Sequence, residues 1–234
     1  MNQIQQYDNR KTDCLASEKE NFAEKTMELF IYIFAGLFSV INPLGTVPVF
    51  VGLTQDDTRK ERDSIAFWTA VNTLLILIIS FFAGKYVLNF FGITLNSLRI
   101  AGGLIITTSG FALLTGSFSK HKGMDKARVQ EDVLKRSDIS LTPLAIPMLA
   151  GPGSISLLIT FNQEYASGNE ICIALAAIVA VCLAAYLILK SSHYIVRLLG
   201  ASGINAISRI IGFIVIAIGV EYVSSSVVAV LREI

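Results

Sequence analysis

The sequence predicts an all-α polytopic membrane protein that crosses the bilayer six times, as two inverted repeats of three helices each. Of its 234 residues, 53% are hydrophobic and only 16% are charged, whereas average proteins carry about 25% charged residues. The apolar residues fall into blocks of roughly 20 residues, the length that crosses a hydrocarbon core of about 30 Å. Two of the blocks are interrupted by proline and glycine, at residues 42–48 and 150–154.

A polar stretch precedes the first apolar block. Residues 1–26 are rich in charged side chains and lack the apolar segment of a signal peptide. We expect them to form a disordered tail. Met27 stands directly before the first block, so the alternative is that translation starts there and that the tail is not part of the native protein.

Six predicted spans follow the tail in two groups of three. The first repeat, residues 27–116, contains spans at about 28–53, 64–91 and 97–116. The second repeat, residues 140–232, contains spans at about 140–161, 170–190 and 206–231. Residues 117–139 lie between the repeats and carry six basic and four acidic side chains, which predicts a solvated loop.

The first and fourth spans should each open at their proline and glycine residues. Proline removes a backbone donor and clashes with the preceding helical turn, and both Pro43 and Pro152 stand inside an apolar run. Lipid cannot satisfy the freed backbone groups, so the opened backbone must be buried in protein or line a wet cavity. Broken helices at corresponding places in two halves point to the binding site of a transporter.

Matching residues in the two halves indicate an internal repeat. The pairs are about 110 residues apart and comprise Pro43 and Pro152, Arg99 and Arg209, and Gly102 and Gly212. Each half has an odd number of predicted spans. Consecutive halves must therefore insert in opposite orientations, which makes the repeat an inverted one.

The distribution of basic residues predicts the orientation in the membrane. Cytoplasmic loops carry an excess of lysine and arginine. The predicted spans place twelve of the 19 basic residues on one side, including the six of the charged loop. The other side receives seven, four of them in the tail. Loop 117–139 should therefore be cytoplasmic, with both termini outside.

Five segments, in this order, resemble the MarC family of bacterial integral membrane proteins. They are Asn42-Pro43-Leu44-Gly45 with Pro48, Arg99-Ile100-Ala101-Gly102-Gly103, Pro143-Leu144-Ala145-Ile146-Pro147 with Ala150-Gly151-Pro152-Gly153-Ser154, Arg209-Ile210-Ile211-Gly212 and Ala217-Ile218-Gly219-Val220. The resemblance covers about 27–232. It implies six spans in a bacterial inner membrane and kinship with transporters of small neutral amino acids such as glycine and alanine. It leaves the cargo of this chain open.

The predicted substrate site combines the two interruptions. Its residues are Asn42, Pro43, Gly45, Thr46, Gly151, Pro152, Gly153 and Ser154. Helix amino termini carry partial positive charge and bind carboxylates, while freed carbonyls accept hydrogen bonds from an ammonium group. Two inverted interruptions that face each other would suit a zwitterion. The structural alternative is that proline and glycine only kink these helices and that neighbouring groups satisfy the backbone.

Three charged residues are further candidates, for coupling or for a structural charge. Arg99 and Arg209 begin their spans, where an arginine either snorkels to the interface or locks the repeats together by pairing with a carboxylate or with the carbonyls of an opened helix. Glu221 is the only carboxylate deep in a predicted span. Such carboxylates often relay protons, but Glu221 also suits a partly hydrated structural position.

The predicted function is secondary transport of a small polar or zwitterionic solute, with small neutral amino acids as one candidate class. No P-loop is present, so an H⁺ or Na⁺ gradient would drive transport, and we expect no cofactor. The alternative is a membrane-embedded regulatory or assembly protein without transport activity. An enzyme is not expected, because the spans contain no histidine, no cysteine with a partner and no metal-binding cluster. We expect the solute and the bilayer as partners and no nucleic acid; the sequence leaves a homo-oligomer open.

Overall fold

The computed structural model describes residues 23–54, 57–116 and 140–233. These residues form helices and no strand: α1 (23–41), α2 (Pro43–Leu53), α3 (Arg59–Phe91), α4 (Leu95–Thr115), the π-helical α5 (Ser140–Leu149), α6 (Pro152–Glu164), α7 (Gly168–Lys190) and α8 (Ser192–Glu233), which Gly200 divides. The all-helical class predicted from composition is confirmed. The predicted loop 117–139 and residues 1–22 of the predicted tail lie outside the described residues.

Several helices in the described ranges match the length of a membrane span. Five stretches are long and apolar enough to cross a bilayer, namely Ala23–Leu53, Arg59–Phe91, Leu95–Thr115, Gly168–Lys190 and Ser202–Arg232. The region predicted as the fourth span is divided between α5, with 10 residues, and α6, with 13. Neither of these two helices reaches the roughly 20 residues that a span needs on its own.

Two helices begin earlier than the hydropathy pattern predicted. Residues 23–26, assigned to the tail, form the first turn of α1, because alanine, glutamate and lysine are strong helix formers despite their polarity. The second span was expected to start near residue 64, but α3 starts at Arg59. A capping box sets this start: Thr58 Oγ1 accepts from Glu61 N, and Glu61 Oε2 accepts from Thr58 N over 2.8 Å.

Direct backbone contact joins α4 to α8. A methyl group at Gly103 would lie 2.7 Å from Gly219 O, and one at Gly110 would lie 2.8 Å from Gly212 O. The reverse distances, from Gly219 to Gly103 O and from Gly212 to Gly110 O, are 2.6 and 2.9 Å. We call these four residues the glycine seam. Their pairing shows that the two helices are antiparallel, and their lack of side chains lets the backbones touch.

Helix α6 lies at the centre of the bundle, with eight of its 13 residues buried. Small residues on three other helices make room for it. Gly36 of α1 packs against Phe161, Gly84 of α3 faces the side chain of Ile159, and Gly102 of α4 faces Ser156. The interruption that precedes α6 is therefore held inside the protein.

The outward faces of the bundle carry large apolar side chains. Ile79, Phe90, Ile210 and Phe213 are each more than 60% exposed. Soluble proteins rarely expose a contiguous apolar surface of this kind, because water would favour covering it. Lipid is the surrounding that suits these faces, in agreement with the five membrane-length helical stretches in the described ranges.

Candidate functional site

The first interruption lies at Asn42, between α1 and α2. Its φ of 46° and ψ of 67° are left-handed, a conformation that asparagine tolerates because its short side chain can form local hydrogen bonds. The Asn42 N–H donates to Phe38 O over 2.9 Å and closes the last turn of α1. Pro43 then begins α2 at a position where the N–H it lacks would have had no helical partner.

Asn42 also caps α2, but it uses only one half of its amide. Its Oδ1 accepts from Gly45 N over 3.2 Å, whereas its Nδ2 is buried without a hydrogen-bond partner among the described residues. The buried hydroxyl of Thr46 donates to Asn42 O over 3.5 Å. A buried donor without a partner costs roughly 1–3 kcal/mol, and a bound acceptor would offset that cost.

The second interruption separates α5 from α6. Ala150 N donates to Ala145 O, five residues back, over 2.8 Å, which closes the wide turn of a π-helix. Gly151 is extended, with φ of −87° and ψ of 171°, and α6 begins at Pro152 without a side-chain cap. The Ser154 hydroxyl turns back, donating to Gly151 O over 2.9 Å and lying 3.3 Å from the last carbonyl of α5.

The start of α6 packs against the end of α1. A methyl group at Gly153 would lie 3.4 Å from Val40 Cγ1 and 3.1 Å from Ile106 Cγ1, and Val40 precedes Asn42 by two residues. The predicted site residues thus form two groups, one at each interruption, and Gly153 brings the second group close to the first. Their polar side chains are at most 1% exposed, so the structure holds both groups closed to solvent.

The two interruptions differ in the groups that they offer to a ligand. At the first, Asn42 occupies part of the amino terminus of α2 and offers its free Nδ2 donor. At the second, the amino terminus of α6 has no side-chain cap, so its first N–H groups and partial positive charge are available to a carboxylate. The ends of α1 and α5 carry backbone carbonyls that can accept from an ammonium group. Both ends of a zwitterion can therefore be satisfied here.

A cavity of about 390 Å³ adjoins the second interruption. Ala150 and Pro152 line one part of it, and Leu98 and Gly102 of α4 line another. Most of the other lining side chains are aliphatic, although Ser156 contributes a hydroxyl. This cavity suits an apolar occupant such as a lipid chain better than a polar solute.

A smaller and more polar cavity of about 160 Å³ adjoins the first interruption. It is lined by Gly45 and Pro48 of α2 and by Asn205, Ser208 and Arg209 of α8, with the end of α4 alongside. Gly45 is the residue whose N–H bonds to Asn42. Arg209 is exposed and brings positive charge to the cavity beside the predicted site.

Arg99 has a different environment from Arg209. Its guanidinium forms an ion pair with Glu164 at the end of α6 and lies 6.0 Å from the ring centroid of Tyr222. Its Nε is buried and has no hydrogen-bond partner among the described residues. Arg99 belongs to the first predicted repeat and Glu164 to the second. The pair therefore ties α4 to the carboxyl end of the central helix, whereas Arg209 faces a cavity.

We expect Arg99 and Glu164 to be energetically coupled. The side chains are only 19% and 33% exposed, and removing one partner from a partly buried pair leaves the other charge without compensation. Arg99→Gln and Glu164→Gln should each lower the thermal midpoint in detergent, and the double variant should lose less than the two together, with a coupling of about 0.5–3 kcal/mol. Lys85→Gln, at an exposed position, is the control. Strictly additive losses would contradict the coupling.

Glu221 lies on the outer face of α8. Its side chain is exposed, while its backbone carbonyl accepts hydrogen bonds from Ser224 and Ser225, the latter over 2.7 Å. The neighbouring Tyr222 points inward and is only 8% exposed. Glu221 thus lies away from both interruptions, and a role in proton coupling stays a prediction.

Sequence reasoning missed Glu164 and Tyr222, the two residues that contact Arg99. Glu164 stood at the edge of a predicted span, where a carboxylate attracts no notice, and Tyr222 was overshadowed by the carboxylate beside it. Among the described residues, no three His, Cys, Asp or Glu side chains are grouped so that they could hold a metal ion.

Comparison with known proteins places the chain among integral membrane proteins. Residues 27–231 match the family described as MarC family integral membrane protein. A membrane protein of Buchnera aphidicola subsp. Acyrthosiphon pisum is 35% identical over 204 residues, which cover 87% of this chain and 94% of that protein. The membrane protein YhcE of Escherichia coli K12 is 33% identical over 201 residues, 85% of this chain and 92% of that protein.

A third relative carries the family's own name. The inner membrane protein MarC of Salmonella typhimurium is 34% identical over 223 residues, which cover 88% of this chain and 98% of that protein. No solved structure matches the chain. The family match spans nearly all of the chain after residue 26, and these relatives are covered almost end to end. The chain therefore belongs to the MarC family of integral membrane proteins.

Proposed function

We propose that this protein is a secondary transporter of the inner membrane that carries a small polar or zwitterionic solute, with small neutral amino acids as the leading class. The observation that carries the proposal is the pair of interrupted helices. They bury an uncapped helix amino terminus at α6 and an amide donor without a partner at Asn42. Buried polar groups of this kind are costly without a ligand, and they complement the two ends of an amino acid.

The glycine seam supports an arrangement of six spans as two inverted repeats. Gly103 and Gly212 are 109 residues apart, as are Gly110 and Gly219, and this is also the separation of Pro43 and Pro152. Shifting each member of the contact between Gly103 and Gly219 by that interval yields the contact between Gly212 and Gly110. A two-fold relation between halves requires this exchange of contacts. In this arrangement α5 and α6 together form the fourth span.

The cavity beside Arg209 offers a route to the site. It contacts Gly45, one helical turn from Asn42, and its arginine would attract the carboxylate of a solute that approaches from the predicted cytoplasmic side. Access from the opposite side would require Arg99 and its neighbours to move. A gradient of H⁺ or Na⁺ would drive the cycle.

A solute screen followed by a flux measurement tests the proposal. Glycine, alanine, serine and related solutes should raise the thermal midpoint of the purified protein in detergent, and the active solutes should cross vesicles that contain the protein when a pH or sodium gradient is imposed. Thr46→Val keeps the shape of the side chain but removes its hydroxyl, and should weaken the solute response. If no solute stabilises the protein and none crosses, the transport proposal fails, and a regulatory or assembly role becomes the better interpretation.

A further inference from the structure

A strongly basic cleft lies far from both interruptions. It has a volume of about 240 Å³ and lies where α3 begins and where α7 meets α8. Four basic side chains line it: Arg59, Arg62, Lys190 and His193. Asp63 is the only acidic residue among its lining residues. We call this feature the basic cleft.

The positive charge of the basic cleft is left largely uncompensated. Among the residues that the structure describes, none of its basic side chains forms an ion pair. Arg62 instead donates to the backbone carbonyl of Asp57 over 3.1 Å, and Lys190 donates to the hydroxyl of Tyr186 over 3.2 Å. Burial, and then the charge of Arg62, lower the pKa of His193 below its ordinary value, so this side chain is uncharged at neutral pH. Two arginines and one lysine against one aspartate leave an excess of two positive charges.

The position of the basic cleft matches the edge of the bilayer. Arg59 is the first residue and Lys190 the last residue of two membrane-length helices. Exposed aromatic side chains follow on the membrane side: Trp68 is 53% exposed, and Phe67 packs edge-on against Tyr186 with 6.1 Å between ring centroids. Aromatic residues concentrate at the depth of the lipid headgroups. The cleft therefore faces the headgroup layer.

Apolar surface continues from the basic cleft on its other side. Tyr194 and Leu198 lie on the short part of α8 before Gly200 and are 69% and 70% exposed. The bottom of the cleft is polar, because the fully buried Ser192 lines it with its hydroxyl 3.5 Å from the ring of His193. The cleft thus offers positive charge and hydroxyl groups at its centre and apolar surface around its rim.

We propose that the basic cleft binds the phosphate group of an anionic phospholipid, whose acyl chains run along the apolar surface beside Phe67 and Tyr186. Basic pockets between membrane helices recognise anionic headgroups by this chemistry. Inorganic phosphate would satisfy the same charges, but it would make no use of the aromatic and aliphatic rim. Phe50, near the end of α2, also lines the cleft, so the bound lipid would stabilise the far end of the first interrupted helix.

Lipid titration of the purified protein tests this proposal independently of transport. Phosphatidylglycerol should raise the thermal midpoint in detergent, and phosphatidylcholine should do so far less. In the double variant Arg59→Gln, Lys190→Gln, the phosphatidylglycerol concentration needed for half of the effect should rise about tenfold or more. The control variant Lys85→Gln, Arg232→Gln removes two exposed basic groups at the opposite ends of α3 and α8 and should behave like wild type.

Three results would overturn the proposal: an unchanged response in the double variant, an equal response to phosphatidylcholine, or equal stabilisation by inorganic phosphate at the same phosphate concentration. Arg59 is exposed, so its replacement should not disturb folding. If the double variant is nevertheless unstable, the single variants decide. Arg59→Gln should weaken the lipid response and Arg59→Lys, which keeps the charge, should retain most of it.

Discussion

Replacing Gly219 with leucine should abolish the packing of α4 against α8 and leave a protein that aggregates when extracted in detergent. Even a methyl group at this position would lie 2.6 Å from Gly103 O and 2.7 Å from Thr107 N. These neighbours are backbone atoms, which cannot move aside as the tip of a flexible side chain can. Gly219→Ala should therefore cost about 1–3 kcal/mol of stability through overpacking, visible as a lower thermal midpoint.

Gly52→Ala provides a matched control for this experiment. A methyl group at Gly52 would meet no atom within 4 Å, and its position inside α2 favours alanine over glycine by up to about 1 kcal/mol. We expect this variant to be neutral or slightly more stable than wild type. If Gly219→Ala and Gly52→Ala had the same thermal midpoint, α4 and α8 could not be in backbone contact.

Replacing Ser154 with leucine should abolish solute flux while the protein still inserts into the membrane. The serine hydroxyl bonds to Gly151 O at the second interruption, and its side chain is only 1% exposed. Leucine would remove this hydrogen bond and fill the space beside the amino terminus of α6. Thr46→Leu should act in the same way at the first interruption. We expect flux in vesicles to fall by about a hundredfold or more, as losses of this kind do when a solute-positioning group is misplaced.

The control for the Ser154 experiment is Ser224→Leu, because Ser224 is an exposed serine on the outer face of α8. This variant should retain the wild-type flux. Equal amounts of inserted protein must be verified for all variants by their recovery in the same detergent. A Ser154→Leu variant that inserts normally and transports at the wild-type rate would remove the second interruption from the proposed site.

Composition and block length were sufficient to predict the helical membrane class, because the cost of exposing apolar side chains to water does not depend on detailed contacts. The conformation of α5 could not be predicted in the same way. Pro143 and Pro147 stand in that stretch, and proline signals that a regular helix is disturbed. Only the structure gives the outcome, a π-helix that ends with the bond from Ala150 N to Ala145 O.

The register of the repeat depended on too few identities to be resolved from the sequence. Gly102 was matched with Gly212, but Gly102 faces Ser156 of α6, and it is Gly103 that lies in the glycine seam. An error of one residue rotates a helix position by about 100° and moves it to a different neighbour. The same error explains why Arg99 and Arg209, which were also matched, have unlike surroundings.

The contact of Arg99 with Glu164 shows another limit of sequence reasoning. The two residues are far apart in the chain, and nothing local to either predicts the partner. A cationic group at the start of a span suits an interfacial position and an ion pair equally well. Distinguishing the two requires the packing of α4 on α6, which small residues such as Gly102 permit.

The glycine seam also restricts how the protein can move. Two helices separated by side chains can slide past each other as rotamers adjust, but α4 and α8 meet through backbone atoms at four glycines and have no rotamers there to adjust. We therefore expect them to behave as one rigid body that acts as a fixed frame. Motion that opens the site must then pivot at the two places where the chain leaves its helices beside that frame, Asn42 and Gly151. The residues that we assign to the solute would also be the hinges.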